Sequence, residues 1–323
     1  MNTQRFMPVA GILLSAVFFN SCTKEDITSP KLKADNEVAV TTEAAAVAMN
    51  NWMTGLPDNS SIASLSIPGT HDSGARQEPV SGTAKCQDLT IAAQLEAGVR
   101  FLDIRCRHIG NAFAIHHGAI YQNLNFNDVL LACTGFLTSH PGETIIMSVK
   151  EEYDATDNTR SFEQTFDTYV QQYASFWSLG ATIPTLGQVR GKIVLFRRFG
   201  ATAAPKGIDA TAWADNTTFT INNSNANLKV QDQYVVPDNN VKWNNINTLF
   251  TEAKTTSNNV LYVNFSSGYK SLIFGIPSIT TVSGNINPRL NTYFTTNTHG
   301  RFGVIPMDFV NAERASLIVN TNF

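Results

Sequence analysis

Phe101-Leu102-Asp103-Ile104-Arg105 is an alternating pentapeptide, and its two faces carry opposite chemistry. In an extended chain successive side chains point to opposite sides, so Leu102 and Ile104 share one face while Asp103 and Arg105 share the other. The same division recurs in Thr144–Lys150. There Thr144, Ile146, Ser148 and Lys150 lie opposite Ile145, Met147 and Val149. Asp232 and Tyr234 share a face near the end of another apolar run, and Arg198 and Asp308 each close one. An α/β barrel buries one face of each strand under its helices and places its chemistry at the C-terminal strand ends. Several polar residues in register at such ends therefore predict a barrel with one active site.

Working outward, short apolar runs alternate with longer amphipathic ones, as βα units require. Candidate strands are Ala63–Ile67, Arg100–Arg105, Ala112–His116, Thr144–Lys150, Lys192–Arg198, Leu228–Gln233, Val260–Phe265 and Gly303–Asp308. Candidate helices are Leu89–Ala97, capped by Asp88 and stopped by Gly98, together with Asp128–Leu137 and Ser161–Tyr173. The Asn-rich stretch Asn222–Asn227 reads as a loop. The eight strands match the count of an α/β barrel: a single, distorted TIM barrel over residues 48–323.

The chain has 323 residues with 43% hydrophobic content and 20 Phe, ample for one large core. A net charge of −3 argues against a nucleic-acid partner. Residues 1–22 open with Arg5, continue through apolar Phe6–Phe19 and end on Asn20-Ser21-Cys22, the pattern of a signal peptide. Cys22 resembles the acylated cysteine of a bacterial lipoprotein, although Phe19 and Asn20 depart from the usual lipobox, which leaves simple secretion open. Residues 23–47 read as a flexible tether. Either way the protein is expected to be exported. Cys86, Cys106 and Cys133 remain, an odd number from which no disulfide pair can be selected. None has the spacing of a metal-ligand motif.

Four segments carry the chemistry: Ser66-Ile67-Pro68-Gly69-Thr70-His71-Asp72-Ser73, then Gly98–Arg105, then Ile115-His116-His117-Gly118-Ala119-Ile120-Tyr121, then Glu143–Lys150. With Gly191–Arg198, Val230–Tyr234 and Met307-Asp308-Phe309, their order and spacing resemble bacterial phosphatidylinositol-specific phospholipase C. The resemblance implies cleavage of phosphatidylinositol, with glycosylated inositol lipids left open as substrates, to diacylglycerol and inositol 1,2-cyclic phosphate. It implies His71 as general base oriented by Asp308, and His117 as general acid partnered by Asp103. Arg105 would hold the phosphate, and Asp72 would position Arg105 or assist proton transfer. Lys150, Arg198, Asp232 and Tyr234 align with inositol-binding positions, although Arg197 could replace Arg198 after a one-residue shift. Histidine suits both proton-transfer roles because it titrates near neutral pH.

The resemblance also implies no cofactor and no metal, a monomer, and a phosphatidylinositol-containing membrane as partner. A metal-dependent relative, such as a glycerophosphodiester phosphodiesterase, needs an acid where this chain has Arg105, and a guanidinium there repels a cation. A surface lipoprotein that binds inositol lipids or glycans without cleaving them is the second alternative, set against a complete catalytic group. His116 reads as structural, and His108, His140 and His299 as surface residues. Trp213 and Tyr262 read as core or rim. Leu272, Ile273, Phe274 and Ile276 follow the Val260–Phe265 strand, where they either tuck into the core or meet the lipid surface.

Overall fold

The computed structural model describes residues 47–256 and 259–323. The leader, Cys22 and residues 23–46 of the tether lie outside the described residues. In chain order the strands begin with β1 (Ser66–Thr70), β2 (Phe101–Ile109), β3 (Ala112–His117), β4 (Ile120–Asn125) and β5 (Ile145–Glu151). They continue with β6 (Trp177–Ser178), β7 (Ile193–Arg197), β8 (Ile208–Asp209), β9 (Thr218–Asn222) and β10 (Asn227–Gln231). The last are β11 (Val260–Asn264), β12 (Lys270–Ser271), β13 (Pro277–Ser278) and β14 (Gly303–Met307). The α-helices are α1 (Ile91–Glu96), α2 (Phe126–Ser139), α3 (Phe162–Gln172), α4 (Leu186–Val189), α5 (Asn239–Thr255), α6 (Ile279–Thr296) and α7 (Ala312–Asn320).

One curled sheet runs β6-β7-β5-β2-β1-β14-β11-β10-β9, parallel throughout except for the last pair. Its two faces follow the alternation read from Phe101–Arg105. Leu102, Ile104, Met147, Leu195 and Ile305 pack against residues of α1, α2, α3, α5, α6 and α7. The opposite parity, Ile67, Phe101, Ile146, Phe196, Val230, Val263 and Val304, packs on itself. Strands from both ends of the sheet meet in that second cluster, so the sheet wraps around its own apolar face.

The barrel is distorted, and the expected count of eight needs correcting. Ala112–His116 became β3, which pairs antiparallel with β2 and β4 as a hairpin excursion and is no part of the parallel wall. The outer edge of β7 carries only two-residue pieces, β6 at its start and β8 at its end. Among the described residues no ladder joins them to antiparallel β9, and the β7–β10 connection contains no helix. The barrel therefore stays open there.

Local chemistry moved several boundaries. β1 starts at Ser66 rather than Ala63 because Ile62–Ser64 form a 3-10 turn, capped by Ser61 Oγ accepting from Ala63 N–H. α1 is capped by Thr90, whose hydroxyl accepts from Ala93 N–H, while Asp88 pairs with Lys85. Ser161 and Gln164 form a reciprocal capping box at α3. Asn223 Oδ1 accepts from Asn225 and Ala226 N–H, which makes the expected loop a tight turn between β9 and β10.

Candidate active site

Six inward-facing strands end by exchanging an apolar residue for a polar one on the same parity, while β11 stays apolar through Val263 and Phe265. Ile67 is followed on its face by Gly69 and His71, and Phe101 by Asp103 and Arg105. Ile146 is followed by Ser148 and Lys150, Phe196 by Arg198, Val230 by Asp232 and Tyr234, and Val304 by Pro306 and Asp308. The open end of the curl thus gathers groups that are up to 237 residues apart, as for His71 and Asp308. They line one cavity of about 460 Å³ that includes His71, Arg105, His117, Lys150, Arg198, Asp232 and Tyr234.

On one side of this cavity His71 Nδ1 lies 2.7 Å from Asp308 Oδ1. Asp308 Oδ2 accepts from the N–H of Gly268 at 3.3 Å. A Cβ on Gly268 would fall 2.8 Å from Tyr234 O, so only glycine lets this backbone approach. Burial pushes the His71 pKa down, but Asp308 outweighs it and the net direction is up. Buried Gln87, a residue sequence reasoning missed, donates to the carbonyls of both His71 (2.8 Å) and Met307 (2.7 Å), tying the two strand ends together.

Arg105 sits between three acids. Its Nε and Nη2 each lie 3.1 Å from Asp103 Oδ2, with Asp72 at 3.8 Å and Glu152 at 3.9 Å. Burial alone would raise the Asp103 pKa, yet Arg105 and Arg198 hold it well below the usual carboxylate range. Glu152, not anticipated, also accepts from Lys150 (2.9 Å) and from Gly118 N–H (3.0 Å). Arg105 and Lys150 outweigh its burial and bring its pKa to about 2.

The partner expected for His117 needs correction. No hydrogen bond or ion pair joins Asp103 to His117, since Asp103 is occupied with Arg105, Arg198 and the backbone N–H of Asp72. The carboxylate beside His117 is that of Asp72, 3.7 Å from Nδ1. Asp72 reaches this place through a left-handed backbone with φ 37°, a conformation that aspartate tolerates better than most residues. Burial pushes its pKa up against the pull of Arg105 and His117. His117 Nδ1 also faces Ala84 O at 2.5 Å, which leaves Nε2 for the cavity.

At the far end of the cavity Arg198 holds its place and Arg197 does not compete. Arg197 is spent on Asp209 and on the carbonyls of Lys206 and Phe199. Trp213 belongs to the site: its ring lies 3.6 Å under the Arg198 guanidinium, and its N–H donates to Asp232 at 3.0 Å. Flanked by Ala212 and Ala214 in a connection without periodicity, it carried no sequence signal. Tyr234 donates to Asp215 at 2.7 Å, which raises the phenol pKa to about 12. Tyr262 is core, as read. His108, expected at the surface, is buried against Phe113 and Phe162 and bonded to Thr165. His116 is buried and structural, while His140 stacks on Phe136 and His299 contacts Thr298.

The three described cysteines are free thiols, all buried. Cys106 and Cys133 sit in the layer between sheet and helices, and Cys86 lies under the cavity beside Ala75 and Ile279. The loop Leu272–Ile276 projects from the cavity rim, with Gly275 and Pro277 lining the cavity itself. Phe274 is 97% exposed and Ile273 78% exposed, so the core reading of this loop is overturned.

The family model described as phosphatidylinositol-specific phospholipase C, X domain, matches residues 65–199. A 1-phosphatidylinositol phosphodiesterase of Staphylococcus aureus (strain Newman) is 37% identical over 276 residues, 80% of this chain and 88% of that relative. One from Listeria monocytogenes is 30% identical over 289 residues, 86% of each. A structure of the phosphatidylinositol-specific phospholipase C from Staphylococcus aureus superposes with a TM-score of 0.79 at 34% identity, covering 85% of this chain and 98% of the other. The Listeria monocytogenes enzyme gives 0.72 at 28% identity, covering 86% and 100%. A further Staphylococcus aureus structure, concerned with modulation of membrane binding, gives 0.77 at 35% identity, covering 85% and 98%. With the fold shared and 30–37% identity extending over most of the chain, this protein belongs to the bacterial phosphatidylinositol-specific phospholipase C family.

Proposed function

We propose that the protein is a phosphatidylinositol phosphodiesterase that forms diacylglycerol and inositol 1,2-cyclic phosphate by histidine-based acid–base catalysis. The single observation that carries this reading is that two histidines, each beside a buried carboxylate, line one cavity with Arg105. His71 takes the proton of the inositol 2-hydroxyl through Nε2, because Nδ1 is engaged by Asp308. The hydroxyl oxygen attacks phosphorus, and His117 returns a proton from Nε2 to the departing glycerol oxygen. Arg105 holds the developing charge on the non-bridging oxygens, and Asp103 keeps its fork oriented. Because a guanidinium already fills the space between Asp72, Asp103 and Glu152, the positive charge needed at phosphate comes from the chain itself.

Lys150, Arg198 and Asp232 supply donors and acceptors for the ring hydroxyls, while Tyr234 and Trp213 offer apolar faces. The exposed Leu272–Ile276 loop is the lipid contact, supported by its place on the cavity rim. Export through the leader and acylation at Cys22 would hold the barrel close to a membrane. Phosphorus NMR of the products from phosphatidylinositol vesicles tests the chemistry: the cyclic phosphate is expected first. Linear inositol phosphate at early times without any cyclic species would overturn the mechanism.

A further inference from the structure

Cys86 takes no part in the reaction just described, yet its Sγ lies 3.9 Å from His117 Nδ1, which is itself 3.7 Å from Asp72 Oδ2. The ligand atoms of these three side chains all fall within 4.8 Å of one another. Zinc bonds of about 2.3 Å to sulfur and about 2.0–2.2 Å to nitrogen or oxygen place tetrahedral ligands about 3.3–3.7 Å apart, close to this spacing. Asp72 supplies an independent observation. It is fully buried and neither carboxylate oxygen has a hydrogen-bond partner; its charge is met only by ion-pair contacts at 3.7 Å to His117 and 3.8 Å to Arg105, both on Oδ2. The same thiol also lies within 4.8 Å of the ligand atoms of His71 and Asp308. That pair is already closed on itself at 2.7 Å, so the open carboxylate is the one beside His117.

We propose that Cys86, His117 and Asp72 form a site for a borderline-soft divalent cation such as Zn²⁺ or Cd²⁺, whose occupancy shuts the enzyme off. Thiolate, imidazole and carboxylate together neutralise a dication and suit zinc, whereas Ca²⁺ and Mg²⁺ prefer all-oxygen sites. Arg105, 3.8 Å from Asp72, adds a positive charge that the two anionic ligands must outweigh. The cation enters from the cavity, which His117 and Ile279 line. Binding expels the Cys86 thiol proton to solvent, as coordination of a thiol does. The Cys86 thiol and His117 Nδ1 both face Ala84 O, at 3.6 and 2.5 Å, so binding replaces these two contacts with the cation; the imidazole then binds through Nδ1 and keeps one proton, on Nε2. His117 then cannot become the imidazolium that protonates the leaving group. Binding stands independently of the mechanism, while inhibition rests on the proposed acid role of His117.

The test uses the full chain and its Cys86→Ser and Cys86→Ala variants, with Cd²⁺ as spectroscopic probe and Zn²⁺ as inhibitor. Wild type is expected to show the ultraviolet thiolate-to-cadmium band and both variants to lack it. On a water-soluble inositol phosphodiester, Zn²⁺ should reduce wild-type turnover by about 10-fold or more, reversibly with chelator, given what loss of a general acid removes. Ca²⁺ and Mg²⁺ should do nothing, and the variants should keep basal turnover and ignore Zn²⁺. A wild type without the band, or variants that match it in band and inhibition, would overturn the site. A Cys86-dependent band with turnover undiminished would uphold the site and count against His117 as the acid.

Discussion

Arg105 Nη2 lies 2.8 Å from His71 Nε2. A guanidinium can only donate, so Nε2 must accept, which fixes His71 as the neutral tautomer with its proton on Nδ1 toward Asp308. The lone pair that must take the inositol proton is thus covered by the arginine that must bind phosphate. On the proposed mechanism, an arriving phosphate draws the guanidinium off the ring and uncovers the base, so the proton acceptor is exposed only with substrate in place.

The His71–Asp308 pair sets the acid limb of the pH profile. The base works only when neutral, and its pKa is raised in the fold, so kcat/KM on a soluble substrate should fall below a pKa higher than the ~6.5 of free imidazole. Asp308→Asn removes the charge that raises it. The acid limb should then move to lower pH and the plateau should drop by roughly 10²–10⁴-fold. An unmoved limb in Asp308→Asn would contradict the assignment of His71 as base.

Arg105→Lys keeps one charge but loses the planar fork that spans Asp103 and His71. Turnover should fall by roughly 10²–10³-fold with little change in melting temperature, since Lys still pairs with Asp103. Near-normal kcat would show that point charge alone suffices.

Trp213 is expected to act on head-group binding rather than on chemistry. Trp213→Phe keeps a ring under Arg198 but deletes the donor to Asp232, and Trp213→Ala deletes both. The loss of a desolvated cation–π contact, about 1–2 kcal/mol, should raise KM by roughly 10-fold in Trp213→Ala, with a smaller rise in Trp213→Phe. Steady-state kinetics on a soluble substrate separates KM from kcat, and a pure kcat effect would place Trp213 elsewhere in the mechanism.

Phe274→Ser should leave the fold intact, because the side chain touches solvent almost entirely. Activity on phosphatidylinositol vesicles at limiting lipid should drop by roughly 30-fold, as expected when ~2 kcal/mol of apolar insertion is lost. Activity on a short-chain soluble substrate should be kept. Equal losses on both substrates would remove the loop from the membrane contact.

Far from the site, Arg100 and Glu143 form a fully buried pair at 2.8 Å, and Glu143 also accepts from the N–H groups of Met53 and Thr54. Glu143→Ala strands a buried guanidinium and should cost about 3–5 kcal/mol in chemical denaturation. A loss below ~1 kcal/mol would mean that Arg100 finds water or another acceptor.

How much of this was legible in sequence follows from the range of each interaction. Side-chain alternation is local, so the two faces of Phe101–Arg105 and Thr144–Lys150, and the polar ends of their strands, could be read before any fold was known. The capping residues Thr90 and Ser161 are local too, although the first was placed two residues early, at Asp88. α5 was not foreseen: it is rich in Asn and Thr, poor helix formers, and it is held by burial of Ile246, Leu249 and Phe250 against the sheet.

The sequence by itself named most of the groups gathered at the cavity, though not Gln87, Glu152 or Trp213, because resemblance and parity both act through residue identity and spacing. Only the tertiary structure decided which of those groups touch. Asp72 rather than Asp103 stands beside His117, because the left-handed turn after His71 swings its carboxylate across while Arg105 and Arg198 hold Asp103. The thiol of Cys86, with no ligand spacing in the chain, meets His117 31 residues away. Trp213 reaches Arg198 from a connection with no periodic signal. Such contacts are fixed by how far the sheet curls and where its wall stays open, and those depend on the packing of all the strands at once.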